Sequence, residues 1–222
     1  MKNINNKIIS REPFGSLFFM LKLIKTPEII QCLFPSILWK NKSGSKTIYL
    51  TFDDGPCNIL SPIILDELKK HKAKATFFYL GSEVEKYPQL VKRCLDENHQ
   101  IGNHTYSHPN GWKTNNNEYY QDIEKANKVI NSNLFRPPYG RIKPSQIKHL
   151  KKHYKIIMWD VLSWDFDKEI SAEECYNNII NNTKPGSIIV LHENGKSAKT
   201  VKEVLPKVLN YFSSKGFKFE RL

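Results

Sequence analysis

From residue 46 to its end, the chain alternates between short β-rich runs and helical patterns. The run at 46–52 predicts a buried strand, and Ser61-Pro62 then predicts a helix with Ser61 as its N-cap and Pro62 at the first helical position. Repeated about seven times, this alternation is typical of α/β proteins with a parallel sheet. We therefore predict strands that close, or nearly close, into a barrel.

The other predicted elements continue this order. Strands are predicted at 74–80, 100–103, 134–136, 155–162, 187–192 and 217–221, and helices begin near 88, 116, 144, 171 and 198. Residues 1–45 lie outside the alternation, and we interpret them as an N-terminal extension with a short helix near 27–34. Residues 46–222 then form one domain, which suits a chain of 222 residues with 40% hydrophobic residues.

Reactive side chains follow several predicted strands at their carboxyl ends, where parallel barrels carry their functional residues. These side chains are Asp53, Asp54, His104, Arg136, Asp165 and His192. Because the carboxyl ends of parallel strands meet at one rim, we expect the six side chains to share one site.

Two histidines four residues apart, His104 and His108, combine with one carboxylate to give a three-ligand set for a metal ion. Such a set leaves a coordination position open for water, and its charge lowers the pKa of that water toward about 7. We predict Asp54, His104 and His108 as the ligands. Zn²⁺ is the expected ion, with Co²⁺, Ni²⁺ and Fe²⁺ as alternatives because similar ligands serve several of these metals.

The second carboxylate of the pair, Asp53, is then available as a general base. A neighbouring carboxylate would raise its pKa, so a cation is needed to keep it ionised. Arg136 is the candidate, because a guanidinium binds a carboxylate in a fixed fork. In the alternative interpretation, Asp53 only supports a metal ligand.

The segment at 136–140 reads Arg-Pro-Pro-Tyr-Gly, and neither proline carries an amide hydrogen. Tyr139 is therefore the first residue after Arg136 whose backbone can donate a hydrogen bond. A rigid turn could hold this N–H toward an oxyanion, although the pentapeptide also fits an ordinary turn.

His192 follows the apolar run at 188–191 and is predicted to be the acid that protonates a leaving amine. Asp165 is our candidate for orienting its ring. Asp160 and Asp167 lie nearby in the sequence and compete for the same role.

The chain carries a formal net charge of +12, from 34 Lys and Arg against 22 Asp and Glu. Such an excess of positive charge is typical of proteins that bind nucleic acid, anionic lipid or an anionic polymer. No RNA-binding, zinc-finger or helix-turn-helix signature accompanies the charge, so we expect no nucleic-acid partner. We interpret the excess lysine as solvated helix faces.

The N-terminal sequence favours a cytoplasmic location or a peripheral one at the inner membrane over an extracytoplasmic one. The apolar stretch at 17–21 is too short to span a bilayer and lacks the cleavage site of a signal peptide. It could pack on the domain as a helix, or rest on a membrane surface as a basic amphipathic segment. Four dispersed cysteines, none at CxxC spacing, favour a reducing compartment or buried small hydrophobic residues, and the sequence leaves a disulfide open.

Five ordered motifs resemble those of the polysaccharide deacetylases, the NodB-homology or carbohydrate esterase 4 family. They are Thr-Phe-Asp-Asp-Gly-Pro at 51–56, His-Thr-Tyr-Ser-His at 104–108, Arg-Pro-Pro-Tyr at 136–139, the segment 159–166 and Val-Leu-His at 190–192. The resemblance covers 46–222 and implies a distorted (β/α) barrel. It also implies metal-dependent hydrolysis of N-acetyl groups on the amino sugars of a glycan such as a chitooligosaccharide or peptidoglycan, with release of acetate.

Carried over by position, the resemblance implies the same roles for the site residues as the reasoning above. Three positions depart from the common pattern, namely Leu162, Phe166 and Val190, and we expect them to affect the wall of the pocket. Substrate identity is therefore open. The alternatives are another linear or cyclic amide, an O-acetyl ester, or a non-catalytic protein that binds a polymer through its basic charge.

Overall fold

A computed structural model describes residues 22–41 and 45–222, and in these ranges eight strands form one parallel sheet. The strands are β1 (Thr47–Asp53), β2 (Ala75–Tyr79), β3 (Gln100–Asn103), β4 (Leu134–Phe135), β5 (Lys155–Ile156), β6 (Val161–Leu162), β7 (Ile188–His192) and β8 (Lys218–Phe219). Their hydrogen-bonded order is β5-β4-β3-β2-β1-β7-β6, with β8 beside the start of β1. The predicted distorted α/β barrel of about seven parallel strands is confirmed.

Eight α-helices accompany the strands in the described ranges. They are α1 (Glu28–Leu33), α2 (Ser61–Lys70), α3 (Gly81–Lys86), α4 (Pro88–Asp96), α5 (Asn116–Ile130), α6 (Pro144–Leu150), α7 (Ala172–Asn182) and α8 (Ala198–Ser214). The helix expected near 27–34 is present as α1, whereas the sequence pattern did not predict α3. The apolar stretch at 17–21 lies outside the described residues. Within the described ranges, no helix combines the length and apolar character needed to cross a lipid bilayer.

Side chains alternate along β1, and this alternation determines which of them reach the site. Ile48, Leu50 and Phe52 belong to one buried cluster that also contains the inner faces of α2 and α8. Tyr49 belongs to a second buried cluster. Because residues two apart share a face of a strand, Asp53 at the end of β1 lies on the same face as Tyr49.

The predicted strand at 155–162 is divided into β5 and β6, which lie at opposite ends of the sheet order. Residues between them bond to the segment that precedes β1 instead of extending a strand. Leu38 forms a parallel bridge with Ile157, and the Thr26 amide donates to the Asp160 carbonyl at 2.9 Å. Residues 22–41 therefore pack along the gap between the two sheet ends. The domain boundary at residue 45 stays a prediction.

The sequence also misplaced the start of α2. Ser61 is its first helical residue and Leu60 is its N-cap, which makes no side-chain capping bond. The Ser61 hydroxyl is engaged elsewhere, because it accepts a hydrogen bond from the Cys57 amide at 2.7 Å and donates to the carboxyl group of Glu193.

We expect His99 to make stability depend on pH below about 6.5. The ring is buried beside Lys74, and its Nδ1 accepts a hydrogen bond from the Ala75 amide at 3.2 Å. Burial lowers the pKa of His99 from 6.5 to about 4, and Lys74 adds to this effect. The unfolded chain therefore binds a proton that the folded chain excludes, so stability is complete above pH 6.5 and falls toward pH 4 by roughly 3 kcal/mol.

Urea unfolding between pH 7 and pH 4 measures this effect. Replacement His99→Asn keeps an acceptor but removes the titration, so it should flatten this part of the stability curve. Replacement of the exposed His153 by Asn is the matched control and should leave the slope as in the unaltered chain. An equal slope in all three proteins would contradict the prediction.

Candidate active site

The carboxyl ends of the central strands border a cleft of about 720 Å³. Residues lining it include Asp53, Asp54, His104, His108, Tyr139 and His192. Arg136 and Asp165 lie buried behind this lining. The structure thus brings together all eight residues that the sequence predicted for the site. Leu162, Phe166 and Val190 also line the cleft, as expected of positions that shape the pocket wall.

Asp54, His104 and His108 form the cluster suited to a metal ion in the described part of the chain, with candidate ligand atoms within 4.8 Å of one another. Asp54 Oδ1 lies 3.5 Å from His104 Nε2 and 3.2 Å from His108 Nε2. This oxygen is buried and has no hydrogen bond of ordinary geometry, whereas Oδ2 accepts one from Asn194 Nδ2 at 2.8 Å. A buried orphaned carboxylate oxygen facing two imidazole nitrogens fits a divalent cation.

The hydrogen-bonding and ionisation of Asp54 and His104 also suit the binding of a metal ion. Burial alone would raise the pKa of Asp54, but the nearby imidazoles of His104 and His108 lower it well below its usual range. His104 Nδ1 lies 2.8 Å from the Arg136 carbonyl, which can only accept, so Nδ1 carries the hydrogen. When the ring is neutral, Nε2 of His104 then carries the lone pair, which binds a metal in place of a proton.

The loop that carries the two histidines is held in an unusual backbone shape. Thr105 and His108 both have positive φ, of 72° and 62°. The Thr105 hydroxyl accepts a hydrogen bond from the His108 amide at 3.0 Å, and Asp122 on α5 accepts from the amides of Tyr106 and Ser107 at 2.7 and 3.1 Å. Sequence reasoning missed Asp122, because nothing local to it indicates that it binds a distant loop.

Asp53 is held by a fully buried guanidinium. Arg136 Nη1 donates to Asp53 Oδ1 and to Thr51 Oγ1, both at 2.7 Å, and Nη2 donates to the Met158 carbonyl at 3.0 Å. The guanidinium carbon also lies 4.1 Å from the centre of the Phe78 ring. The expected two-point fork is thus replaced by a single bond to Asp53, since the other donors bind β1 and the β5–β6 connection. The proposed role of Asp53 as a base stays a prediction.

Asp165 contacts His192 through both carboxylate oxygens. Oδ1 lies 2.8 Å from His192 Nδ1, and Oδ2 accepts from the His192 amide at 2.7 Å. The competing carboxylates are engaged elsewhere, Asp160 by the Ser187 hydroxyl and Asp167 by Lys22.

Burial would lower the pKa of His192, but the charge of Asp165 and of the two motif aspartates raises it to about 9. The ring is therefore protonated at neutral pH.

Tyr139 adopts a left-handed backbone conformation, with φ of 60° and ψ of 8°. The hydrogen bonds of this turn come from the amides of Gly140 and Arg141, and none comes from Tyr139 in the described part of the chain. Its ring packs edge-on against His108, with centroids 4.5 Å apart. The Tyr139 ring thus contacts a candidate metal ligand, and the role of its amide as oxyanion donor stays a prediction.

Glu193, a buried acid in the wall of the cleft, was missed by the sequence reasoning. A Cβ atom on Gly55 would lie 2.5 Å from the Glu193 carboxyl group, so a larger residue there would require this buried side chain to shift. Burial raises the pKa of Glu193 to about 8, and Oε2 has no hydrogen-bond partner among the described residues. The only available sequence signal was its position directly after His192. Gly55, which belongs to the motif at 51–56, therefore packs against the Glu193 carboxyl group.

We expect Glu193 to hold the turn that carries Asp54. Because its pKa of about 8 leaves it largely neutral at pH 7, Glu193→Gln should keep the affinity for Zn²⁺. Glu193→Ala empties the space behind Gly55 and should weaken that affinity by about 10- to 100-fold, the usual effect of losing a group that supports a ligand.

Chelator competition measures Zn²⁺ affinity in both variants, with the exposed Glu203→Ala as a control. Equal affinity in the Gln and Ala variants would contradict a supporting role for Glu193.

Known proteins were compared with this chain. The family model for polysaccharide deacetylase matches residues 40–155. A peptidoglycan-N-acetylglucosamine deacetylase of Bacillus cereus is 42% identical over 183 residues, which cover 79% of this chain and 66% of the relative. The chain thus spans about two-thirds of the length of that relative.

Solved structures agree with the sequence comparison. A crystal structure of the Bc1960 peptidoglycan N-acetylglucosamine deacetylase, in complex with 4-naphthalen-1-yl-N-oxidanyl-benzamide, has a TM-score of 0.82 and 37% identity and covers 89% of this chain and 95% of its own. A carbohydrate esterase 4 family pseudoenzyme from Bacillus anthracis has a TM-score of 0.74 and 27% identity and covers 83% and 66%. Because one similar protein is a pseudoenzyme, activity has to be argued from the residues of the site.

Proposed function

This chain belongs to the polysaccharide deacetylase family, and from that premise we propose that it removes N-acetyl groups from amino sugars of a glycan and releases acetate. N-Acetylglucosamine in peptidoglycan is the proposed substrate, since two of the similar proteins carry that name. The observation that carries the proposal is one cleft containing a candidate base, a candidate acid and a three-ligand metal cluster.

Asp54, His104 and His108 would hold the cation, and two imidazoles with one carboxylate favour Zn²⁺. When bound, the cation would polarise the acetamide carbonyl and lower the pKa of water. Asn194 and the Arg136 carbonyl hold two of these ligands from outside, by the bonds described above.

The other residues then divide the proton transfers of amide hydrolysis. Asp53, kept in place by Arg136, accepts a proton from the attacking water. The oxygen of that water bonds to the carbonyl carbon, and the Tyr139 amide donates to the oxyanion. His192 gives its proton to the nitrogen as the carbon–nitrogen bond breaks, so that the neutral amine leaves together with acetic acid, which ionises to acetate in water. Loss of the proton from Asp53 and reprotonation of His192 then restore the starting state of the site.

Acetate release from peptidoglycan fragments and chitooligosaccharides tests the proposal. We expect the zinc-loaded protein to release acetate, a chelator to abolish the release and added Zn²⁺ to restore it. Asp53→Asn should keep bound zinc but lose at least about two orders of magnitude in rate, the scale of losing a general base. Asp54→Ala, the comparison variant, should lose both zinc and rate.

Two outcomes would contradict these statements. Near-normal turnover in Asp53→Asn would remove Asp53 from the role of base. Failure of the loaded protein to release acetate from any N-acetylated glycan would contradict the proposed function, and release from acetylated xylan alone would favour an O-acetyl esterase.

We also expect the Asp165–His192 pair to determine the alkaline limit of activity. A general acid works only while protonated, so the rate should fall as pH rises through the pKa of His192, about 9. Asp165→Asn removes the carboxylate that raises this pKa, so the decline should begin at lower pH. The pH profile of acetate release measures the shift, and an unmoved alkaline limb would exclude Asp165 as the partner.

A further inference from the structure

The two ends of the barrel differ in charge. Because all the strands are parallel, their amino ends lie together at the end opposite the cleft. Lysines immediately before or at the start of strands gather there, and all are exposed. They form what we call the basic end: Lys46, Lys151, Lys152, Lys155, Lys184 and Lys218. None of them makes an ion pair with a side chain in the described ranges.

Acidic residues at this end do little to offset that charge. Glu28, the first residue of α1, is exposed and pairs with Lys40, while Glu67 pairs with Lys70 and Glu97 pairs with Arg93. Glu220 is exposed, but it follows β8 as a single carboxylate. The acidic residues that line the cleft lie at the other end of the barrel.

Helix dipoles explain only part of this pattern. Cations are favoured near the carboxyl ends of helices, and these ends also lie opposite the cleft in a βα barrel. Lys46, Lys155 and Lys218, however, lie at strand starts, where no helix dipole favours a cation. The basic end therefore contains more lysines than helix dipoles alone would favour.

Exposed aliphatic side chains lie at the same end. No residue of α1 is buried, and Ile29 and Leu33 are 70% and 61% exposed. Lys25, before α1, donates to the Asn182 carbonyl at the end of α7, and Lys40, after it, bridges to Ser187. Both contacts lie just before β7, which places α1 beside the basic end.

We propose that this end of the barrel docks on an anionic phospholipid surface. The lysines would lie over the headgroups, and Ile29 and Leu33 would enter the interface between headgroups and acyl chains. A soluble polyanion would use the lysines but gain nothing from exposed aliphatic side chains, so a membrane fits both observations. The cleft opens at the opposite end and stays accessible to a glycan. This inference is independent of the proposed function.

Vesicle flotation with the full chain tests the proposal. We expect binding to vesicles of phosphatidylcholine and phosphatidylglycerol, weak binding to phosphatidylcholine alone, and release at high salt. Reversal of three lysines of the basic end, Lys151→Glu, Lys152→Glu and Lys155→Glu, should weaken binding at least about tenfold. Ile29→Ser with Leu33→Ser should also weaken it.

A matched variant separates a local surface from net charge. Lys113→Glu, Lys199→Glu and Lys202→Glu change the same number of charges on exposed lysines away from the basic end, and this variant should bind nearly as the unaltered chain does. Equal loss in both triple variants would overturn the proposal. If the Ile29→Ser, Leu33→Ser variant bound both vesicles and heparin as tightly as the unaltered chain does, the ligand would be a soluble polyanion instead. Circular dichroism and zinc titration check folding without using deacetylase activity.

Discussion

Arg136 is fully buried and joins β1, the β5–β6 connection and the loop of His104 through its guanidinium and its backbone carbonyl. Its nitrogens bind Asp53, Thr51 and the Met158 carbonyl, while its own carbonyl accepts from His104. A fully buried cation is tolerated only when it is paired and hydrogen-bonded, and removing one partner of such a pair typically costs about 3–5 kcal/mol. Arg136 thus fixes the candidate base Asp53 relative to the candidate ligand His104. Its buried guanidinium is stable only while these hydrogen bonds are made.

The site also shifts the pKa values of its ionisable groups in different directions. Nearby imidazoles lower the pKa of Asp54, carboxylates raise that of His192, and burial raises that of Glu193. At neutral pH the site therefore contains an ionised ligand, a protonated candidate acid and a largely neutral supporting acid. Such separation of pKa values by environment is how one site assigns different roles to similar groups.

The sequence predicted what local patterns encode. Residues at strand ends could be assigned because strand position and chemistry agree along one stretch of chain, as for Asp53 and His192. Asp122, Asn194 and Glu193 could not, because their partners lie far away in sequence and only the folded topology brings them together.

Two larger features were hidden for the same reason. The apolar run at 155–162 indicates one strand, but its middle residues bond to a segment more than a hundred residues earlier. The lysines appear scattered over helix faces in the sequence. Only the parallel strand order shows that many of them share one end of the barrel.

The pairing of residues 22–41 with the β5–β6 connection has a further consequence. Open strand edges present unpaired amide and carbonyl groups and invite pairing with other molecules. A chain shortened to begin at residue 45 would keep every motif residue of the site but expose two such edges. Residues 22–41 therefore cover two edges that could otherwise pair with another copy of the chain, although none of these residues lines the cleft.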